Sequence, residues 1–166
     1  MPLVHETNLT IRPTRRTGFN KGSRKSLRRC IFSLLLIFPP VPESIVVFGA
    51  GYRWDALAQA RWLDRCAMHY WGDIDTHGFA ILNQLRRHFH AVSSILMDRL
   101  TFDAYADSWG VEASPLTADL QRLTFEEGRL YDDLRHQRLR PGVYLRLEQE
   151  HIGYVAVKRA LRQIIV

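Results

Sequence analysis

Cysteine and lysine are scarce in this 166-residue chain, and several common signals are absent. Two cysteines, Cys30 and Cys66, are too few for a disulfide framework, and the chain has neither a Cys-x-x-Cys pair nor a His-Glu-x-x-His motif for zinc. The apolar run Ile31–Phe38 is far shorter than the ~20 residues that span a bilayer. Prolines follow it, where a signal peptide would have small residues. We therefore expect a reduced, cytoplasmic protein with no membrane segment.

The excess of positive over negative charge lies in the first 30 residues of the chain. This segment holds eight Lys or Arg and one acid, whereas the rest of the chain holds 15 Lys or Arg and 16 acids. The net charge of +6 therefore belongs to a tail without apolar periodicity. We interpret this tail as disordered and solvated, with a nucleic-acid-binding arm as the alternative. The remainder is near neutral and long enough for one domain with a hydrophobic core.

Strand and helix patterns alternate along the rest of the chain. Apolar and β-branched runs predict strands at Ile31–Phe38, Ser44–Phe48, Ala67–Trp71 and Val92–Met97. Amphipathic spacing predicts helices at Trp54–Cys66, at Gly78–Phe89, and within Leu116–Leu134 and Leu145–Ile165. Either Thr117 or Ser114 would cap the third of these helices. The alternation predicts an α/β fold with a Rossmann-like parallel sheet, flanking helices and a helical C-terminal extension.

The segment Tyr70–Phe79 carries the most informative pattern. An apolar, aromatic strand ends in Asp73 and Asp75, and a helical pattern follows at once. Alternate residues of extended backbone face the same side, so the two carboxylates repel each other unless a cation lies between them. Carboxylates, water and phosphate oxygens are the ligands that Mg²⁺ prefers. The pair predicts a Mg²⁺ site, with Mn²⁺ as a substitute, for phosphodiester chemistry. Aspartates that only cap the next helix are the alternative.

Other polar residues near this sheet edge carry weaker predictions. His77 is a candidate for polarising a phosphate or moving a proton, or for a loop or capping role. Asp98 ends the next strand, where a helix cap is favoured over a further metal ligand. The turn Gly49–Gly51 lacks both the full Gly-x-Gly-x-x-Gly pattern and the Walker lysine of a nucleotide loop. Five arginines would contact phosphate or form a solvated face: Arg86, Arg87, Arg135, Arg138 and Arg140.

Several segments together resemble the C-terminal domain of the Wadjet anti-plasmid nuclease subunit JetD. They are Val46–Tyr52, Tyr70–Phe79, Leu96–Asp98 and Arg146–Glu150. That domain is a Toprim domain similar to the one in topoisomerases of the topoisomerase VI class, and the likeness runs from about Phe38 to the end of the chain. The resemblance implies a Mg²⁺-dependent endonuclease that cuts double-stranded DNA. It also implies an SMC-like Wadjet complex as partner and allows a homodimer.

The resemblance further implies three carboxylates at the site, and this chain departs from that pattern. Asp73 and Asp75 match the metal-binding pair, and His77 with nearby arginines would position phosphate. The third carboxylate, a glutamate at the end of the first strand, is absent because Ile31–Phe38 contains no acid. Glu148 and Glu150 in the C-terminal segment are the candidates for a replacement, but the expected activity does not rely on them.

The domain organisation follows from where the resemblance begins. We expect residues 1–37 to be a basic segment that is disordered or misframed, from a frameshifted or misassigned start. Residues 38–166 would form the Toprim-like domain with its helical C-terminal part.

Two other functions stay open. Without the glutamate, the chain would be a catalytically inactive module that binds DNA or a partner. A phosphohydrolase or phosphotransferase would use the same aspartate pair, but such enzymes usually need a nearby lysine, and Lys158 is the only lysine after residue 25. Three assays separate these functions: Mg²⁺-dependent nicking of plasmid, salt-dependent DNA binding without cleavage, and turnover of a phosphomonoester.

Overall fold

The computed structural model describes residues 10–13, 29–33, 39, 41, 43–48, 63 and 65–165. The strands of its main sheet are β1 (Thr10–Pro13), β2 (Arg29–Ser33), β3 (Ser44–Phe48), β4 (Ala67–Trp71) and β5 (Val92–Ser94). The helices are α1 (Thr76–His88), α2 (Arg99–Ala104), α3 (Phe125–Arg135) and α4 (Tyr154–Ile165). Short 3-10 helices lie at Ala106–Ser108 and Gln149–His151. Two short strands, β6 (Gly110–Val111) and β7 (Leu145–Arg146), form a second, antiparallel sheet.

The main sheet has the strand order β1-β3-β2-β4-β5. Strands β3, β2, β4 and β5 run parallel, and β1 is antiparallel to β3. The register places Trp71 of β4 opposite Ser33 of β2, and Tyr70 opposite Ser94 of β5, so these three strands end near one edge. Helices flank the parallel strands, and this confirms the predicted α/β fold with a Rossmann-like parallel sheet.

Aromatic side chains join the sheet and the helices into one core. Phe89, which follows α1, stacks on Phe32 of β2 with ring centroids 6.3 Å apart. Phe79 of α1 meets Tyr131 of α3 edge-on at 6.1 Å. All four rings are buried, and such aromatic pairs add to the stability that burial alone provides. The packing holds α1, which begins at the predicted site, against both the sheet and α3.

The predicted strand bounds hold for β3 and β4 and differ elsewhere. β2 begins before Ile31, at Arg29, and residues 34–38 of the predicted strand lie outside the described part of the chain. The strand predicted at Val92–Met97 ends at Ser94. Leu96 has a φ of 54°, and this left-handed conformation is incompatible with continued extended backbone.

Strand β1 lies in the segment that the sequence predicted to be disordered. It pairs with β3 from Thr10 opposite Phe48 to Pro13 opposite Ile45. The structure thus places these four residues in a strand where the sequence predicted disorder, because pairing with a distant strand leaves no periodic signal in so short a segment. Arg29, at the end of the same predicted segment, begins β2. The other residues before Arg29 lie outside the described part, and so does nearly all of the helix predicted at Trp54–Cys66, together with the turn at 49–51.

The prediction of helix within Leu116–Leu134 is wrong for its first half. The helix α3 begins only at Phe125, and Thr124 caps it instead of Thr117 or Ser114. Tyr131 from α3 donates its hydroxyl to the backbone carbonyls of residues 116 and 118 at 3.2 and 2.5 Å. The side chain of Tyr131 thus supplies the hydrogen bonds that these backbone carbonyls would otherwise find in a helix.

The helical pattern predicted over Leu145–Ile165 is interrupted as well. Its first two residues form β7, which pairs with β6, and α4 begins at Tyr154. No described helix has the length and hydropathy of a membrane span.

Three of the five arginines predicted to face phosphate pair with acidic side chains of this domain. Arg86 binds Glu127 of α3, Arg135 binds Asp119 and Asp132, and Arg138 lies 3.4 Å from Asp133. Arg86 and Glu127 also line a groove of about 680 Å³ beside β5, away from the aspartate pair. These contacts favour structural roles for the three arginines. In the groove, the Arg86 guanidinium is already paired with Glu127 and is therefore not available to bind a phosphate.

Candidate functional site

The candidate site lies beyond the carboxyl end of β4, a strand in the interior of the main sheet. Ile74, between the two aspartates, is fully buried and forms a bridge to Leu147. Its N–H donates to the Leu147 carbonyl at 2.9 Å, and the Leu147 N–H donates back at 3.0 Å. Because adjacent residues of extended backbone face opposite sides, Asp73 and Asp75 share the side away from the core. The bridge therefore brings the segment after β7 to the pair.

Both aspartates meet the guanidinium group of Arg146, the last residue of β7. Arg146 Nη2 donates to Asp73 Oδ2 at 3.0 Å, and Arg146 Nε lies 3.6 Å from Asp75 Oδ2. Glu148 Oε1 also lies 3.2 Å from Nη2. Burial lowers the pKa of Arg146, but the charges of Asp75, Asp73 and Glu148 outweigh this effect and raise it. The carboxylates thus point the same way, as predicted, and the cation between them in this structure is an arginine.

Asp75 caps helix α1 with one carboxylate oxygen and faces Arg146 with the other. Its Oδ1 accepts a hydrogen bond from Gly78 N at 2.7 Å, and only 4% of the residue is exposed. Burial raises the pKa of Asp75 to about 6; the Gly78 hydrogen bond and Arg146 oppose this shift, and the charges of Glu112 and Asp73 add to it. Asp75 thus caps α1 through Oδ1, and its Oδ2 is directed at a cation.

Glu112 is an acid at the site that sequence reasoning missed. It follows β6, and Glu112 Oε1 accepts hydrogen bonds from the Thr76 hydroxyl at 2.7 Å and from His77 N at 3.4 Å, while Oε2 accepts from Thr76 N at 3.1 Å. Glu112 thus satisfies first-turn amides of α1 that have no partner within the helix. With both oxygens engaged and 5% exposure, Glu112 is unsuited to replace the missing third carboxylate. No local motif marks it.

Two further hydrogen bonds tie the site to neighbouring loops. One involves the ring of His77, at the start of α1, and the other involves the carboxylate of Asp73. His77 Nε2 is 2.7 Å from the Ser114 carbonyl oxygen, which accepts a hydrogen bond when Nε2 carries the proton. Asp73 Oδ1 accepts from Gln149 N at 2.9 Å. The structure thus ties the His77 ring to the loop after β6, and the phosphate role of His77 stays a prediction.

The carboxylates of the site fit a metal ion only in part. In the described ranges, no group of three or more His, Cys, Asp and Glu side chains is placed to hold a metal. The end of the strand where the resemblance places a glutamate, beyond Ser33, lies outside those ranges. Two carboxylates, water and a substrate phosphate are nevertheless a ligand set that Mg²⁺ accepts. Asp73 and Asp75 therefore fit an ion shared with the substrate better than a preformed three-carboxylate centre.

Gly78 allows the first turn of helix α1 to lie close to the backbone of Asp73, in the loop between β4 and α1. We therefore expect Gly78→Ala to destabilise the protein. A Cβ atom at Gly78 would lie 2.0 Å from the backbone oxygen of Asp73, so the loop would have to move, at a cost of about 1–3 kcal/mol. The matched control is Gly128→Ala in α3, where a Cβ meets nothing within 4 Å; there alanine should stabilise by ~0.5–1 kcal/mol. Urea unfolding measures both changes, and equal effects at the two glycines would contradict the prediction.

The fold and the site define an α/β domain with a carboxylate pair at the carboxyl edge of a parallel sheet. Residues 33–161 match the family described as Wadjet protein JetD, C-terminal, and the chain belongs to this family. The match contains every residue of the site described above, and it confirms the resemblance to the Wadjet JetD C-terminal domain. A comparison with curated proteins finds no match.

Proposed function

We propose that this chain is the Toprim-type nuclease domain of a Wadjet defence system and that it cuts double-stranded DNA with a Mg²⁺ ion held by Asp73 and Asp75. The observation that carries the proposal is the convergence of both carboxylates on one cationic group at the carboxyl edge of the sheet. Ligands of open parallel sheets bind at this edge. Family membership supports other Wadjet subunits as partners, and the resemblance implies that an SMC-like complex among them presents the DNA.

The backbone prepares the two aspartates for such an ion. Each has one oxygen held by a backbone amide, Asp73 Oδ1 by Gln149 N and Asp75 Oδ1 by Gly78 N. These bonds orient the second oxygen of each side chain before a ligand arrives, which reduces the cost of binding. When bound, Mg²⁺ supplies charge neutralisation at the phosphodiester and an activated water. His77 would position a phosphate from the start of the same helix.

A second candidate function is a catalytically inactive module that binds DNA or a Wadjet partner without cutting. It is favoured by one observation: the described residues contain no third His, Cys, Asp or Glu placed with the pair to hold a metal. An ion held by two aspartates and water alone would be bound weakly and would leave the attacking water poorly placed.

Mn²⁺ binding and plasmid nicking together test the proposal. We expect the purified chain to bind Mn²⁺ in calorimetry and to nick supercoiled plasmid in Mg²⁺, and we expect the Asp73→Asn, Asp75→Asn double variant to lose both. Asparagine keeps the size of the side chain and the oxygen that accepts from Gly78, so the fold is preserved. Asp98→Asn is the matched control, because Asp98 caps α2 in the same way, accepting from Thr101 N at 2.7 Å.

The outcomes separate the two candidate functions. Mn²⁺ binding that the double variant loses, without nicking by the unmodified chain, would establish the metal site and favour the inactive module. Binding that persists in the double variant would place the metal elsewhere and refute the assignment to Asp73 and Asp75. Salt-dependent DNA binding with neither Mn²⁺ binding nor nicking would reduce the chain to a DNA-binding module.

A further inference from the structure

We infer that Arg146 is a displaceable counter-ion: it neutralises the carboxylates of Asp73, Asp75 and Glu148 while no metal is bound, and it turns to the substrate phosphate when a divalent cation takes its place. This inference rests on the proposed function, because it assumes that a cation enters between Asp73 and Asp75. It assigns to one side chain both a competition with the metal and a contact with the DNA backbone.

The contacts of Arg146 are those of a loosely held cation. Among the described residues, its side chain donates one hydrogen bond, from Nη2 to Asp73 Oδ2 at 3.0 Å. Its Nε is buried and has no hydrogen-bond partner in this part of the chain, and the nearest carboxylate oxygen, Asp75 Oδ2, is 3.6 Å away. A guanidinium group can make up to five such bonds in a planar fork, so the carboxylates hold Arg146 mainly by charge.

A divalent cation and the Arg146 guanidinium cannot both keep these positions. The Oδ2 atoms that face Arg146 are the oxygens left open on Asp73 and Asp75, since backbone amides bind both Oδ1 atoms. An ion at the Oδ2 atoms would lie within a few ångströms of the guanidinium. Like charges at such distances repel, most strongly where water is partly excluded. Metal binding therefore expels the Arg146 side chain.

The backbone of Arg146 stays in place while its side chain moves. It pairs with Gly110 across β6 and β7, and the adjacent Leu147 is fixed by the bridge to Ile74. With its backbone anchored beside the aspartates, the expelled guanidinium remains at the site. A phosphate that shares the metal ion is the acceptor to which a guanidinium is best matched, through two parallel hydrogen bonds.

Arg146→Gln tests the competition with the metal. We expect this variant to bind Mn²⁺ about tenfold more tightly than the unmodified chain in calorimetry without DNA, a coupling of ordinary size between two ligands. Arg146→Lys should keep the weak Mn²⁺ affinity, since the charge remains. The matched control is Arg138→Gln, because Arg138 lies 3.4 Å from Asp133 and away from the site; its Mn²⁺ affinity should be unchanged.

Duplex DNA binding tests the second role of Arg146. With Ca²⁺ present to suppress cleavage, Arg146→Gln and Arg146→Lys should both bind duplex DNA less tightly. Arg146→Gln should also reduce the slope of log affinity against log salt by about one, the effect of one lost phosphate contact. Neither readout depends on turnover, and thermal unfolding confirms that each variant is folded.

The inference is overturned if Arg146→Gln binds Mn²⁺ equally or more weakly, because Arg146 would then only position the carboxylates. The proposed function survives that result as long as the unmodified chain binds Mn²⁺ through Asp73 and Asp75. Absence of Mn²⁺ binding in both the unmodified chain and Arg146→Gln would refute the proposed metal site itself, and the counter-ion role with it.

Discussion

Replacing Asp75 by asparagine is expected to stabilise the metal-free protein at pH 7 by up to about 3 kcal/mol. Burial raises the pKa of Asp75 from its ordinary 3.8 to about 6, and each pKa unit corresponds to about 1.4 kcal/mol. Because the folded state binds this proton more tightly than the unfolded state, the unmodified protein loses stability as the pH rises from about 4 to about 6. Asparagine removes the buried charge and still accepts a hydrogen bond from Gly78 N.

Urea unfolding between pH 4 and pH 8, with a chelator present, measures this effect. The gain in the free energy of unfolding from Asp75→Asn should increase from pH 4 to about pH 6 and then stay constant up to pH 8. Asp98→Asn is again the matched control: Asp98 is a helix cap with the same hydrogen-bond length, but it is exposed, so its replacement should change the stability by less than about 0.5 kcal/mol. A destabilised Asp75→Asn protein, or a gain that does not vary with pH, would contradict the account of Asp75 as a buried charge.

Glu127→Gln is expected to destabilise the protein by about 3 kcal/mol or more. Glu127 accepts hydrogen bonds from Arg86 Nη2 at 3.0 Å, Ser94 Oγ at 2.7 Å and Thr124 N at 2.8 Å. Burial tends to raise the pKa of Glu127, but these bonds outweigh it and lower the pKa. The side chains of Arg86 and Glu127 are only 12% and 8% exposed, and removing one partner of such a pair leaves a buried charge uncompensated.

Thermal unfolding at pH 7 should show a decrease of roughly 6–12 °C for Glu127→Gln, given the usual sensitivity of Tm in chains of this size. The matched control is Glu126→Gln, a neighbour in the same helical turn that is exposed and should change Tm by no more than about 2 °C. The double variant Arg86→Leu, Glu127→Leu should recover part of the loss, because it removes both charges. A Glu127→Gln protein as stable as the control would show that the ion pair contributes no net stability.

Elements that depend on neighbouring residues could be predicted from the sequence, and elements that depend on distant pairing could not. Strands β3 and β4 are buried apolar runs, and their predicted bounds are the observed ones. The start of α3 also carries a local signal, the capping-box spacing of Thr124 and Glu127, but the prediction missed it and placed the cap at Thr117 or Ser114. By contrast, β1 and β7 are defined by their partner strands, and the short β5 is ended by the backbone conformation of Leu96.

The same distinction applies to the site. Asp73 and Asp75 could be identified from their place after an apolar strand, and their common direction follows from the alternation of extended backbone. Glu112 and the contact of Arg146 with the pair could not be predicted, because they depend on the pairing of β6 with β7 and on the bridge between Ile74 and Leu147. Pairing of two-residue strands has no periodicity that a sequence pattern could reveal.

The bridge between Ile74 and Leu147 also sets the order in which the site can be completed during synthesis. Arg146 is 73 positions from Asp73, and a chain emerges from the ribosome with its N-terminal part first. The parallel strands and α1 can therefore pack while the two aspartates, side by side at the end of β4, still lack the guanidinium of Arg146. The neutralising charge of Arg146 is added only with β7. In a nascent chain stopped before that strand, the carboxylates of Asp73 and Asp75 would therefore repel each other without a cation beside them.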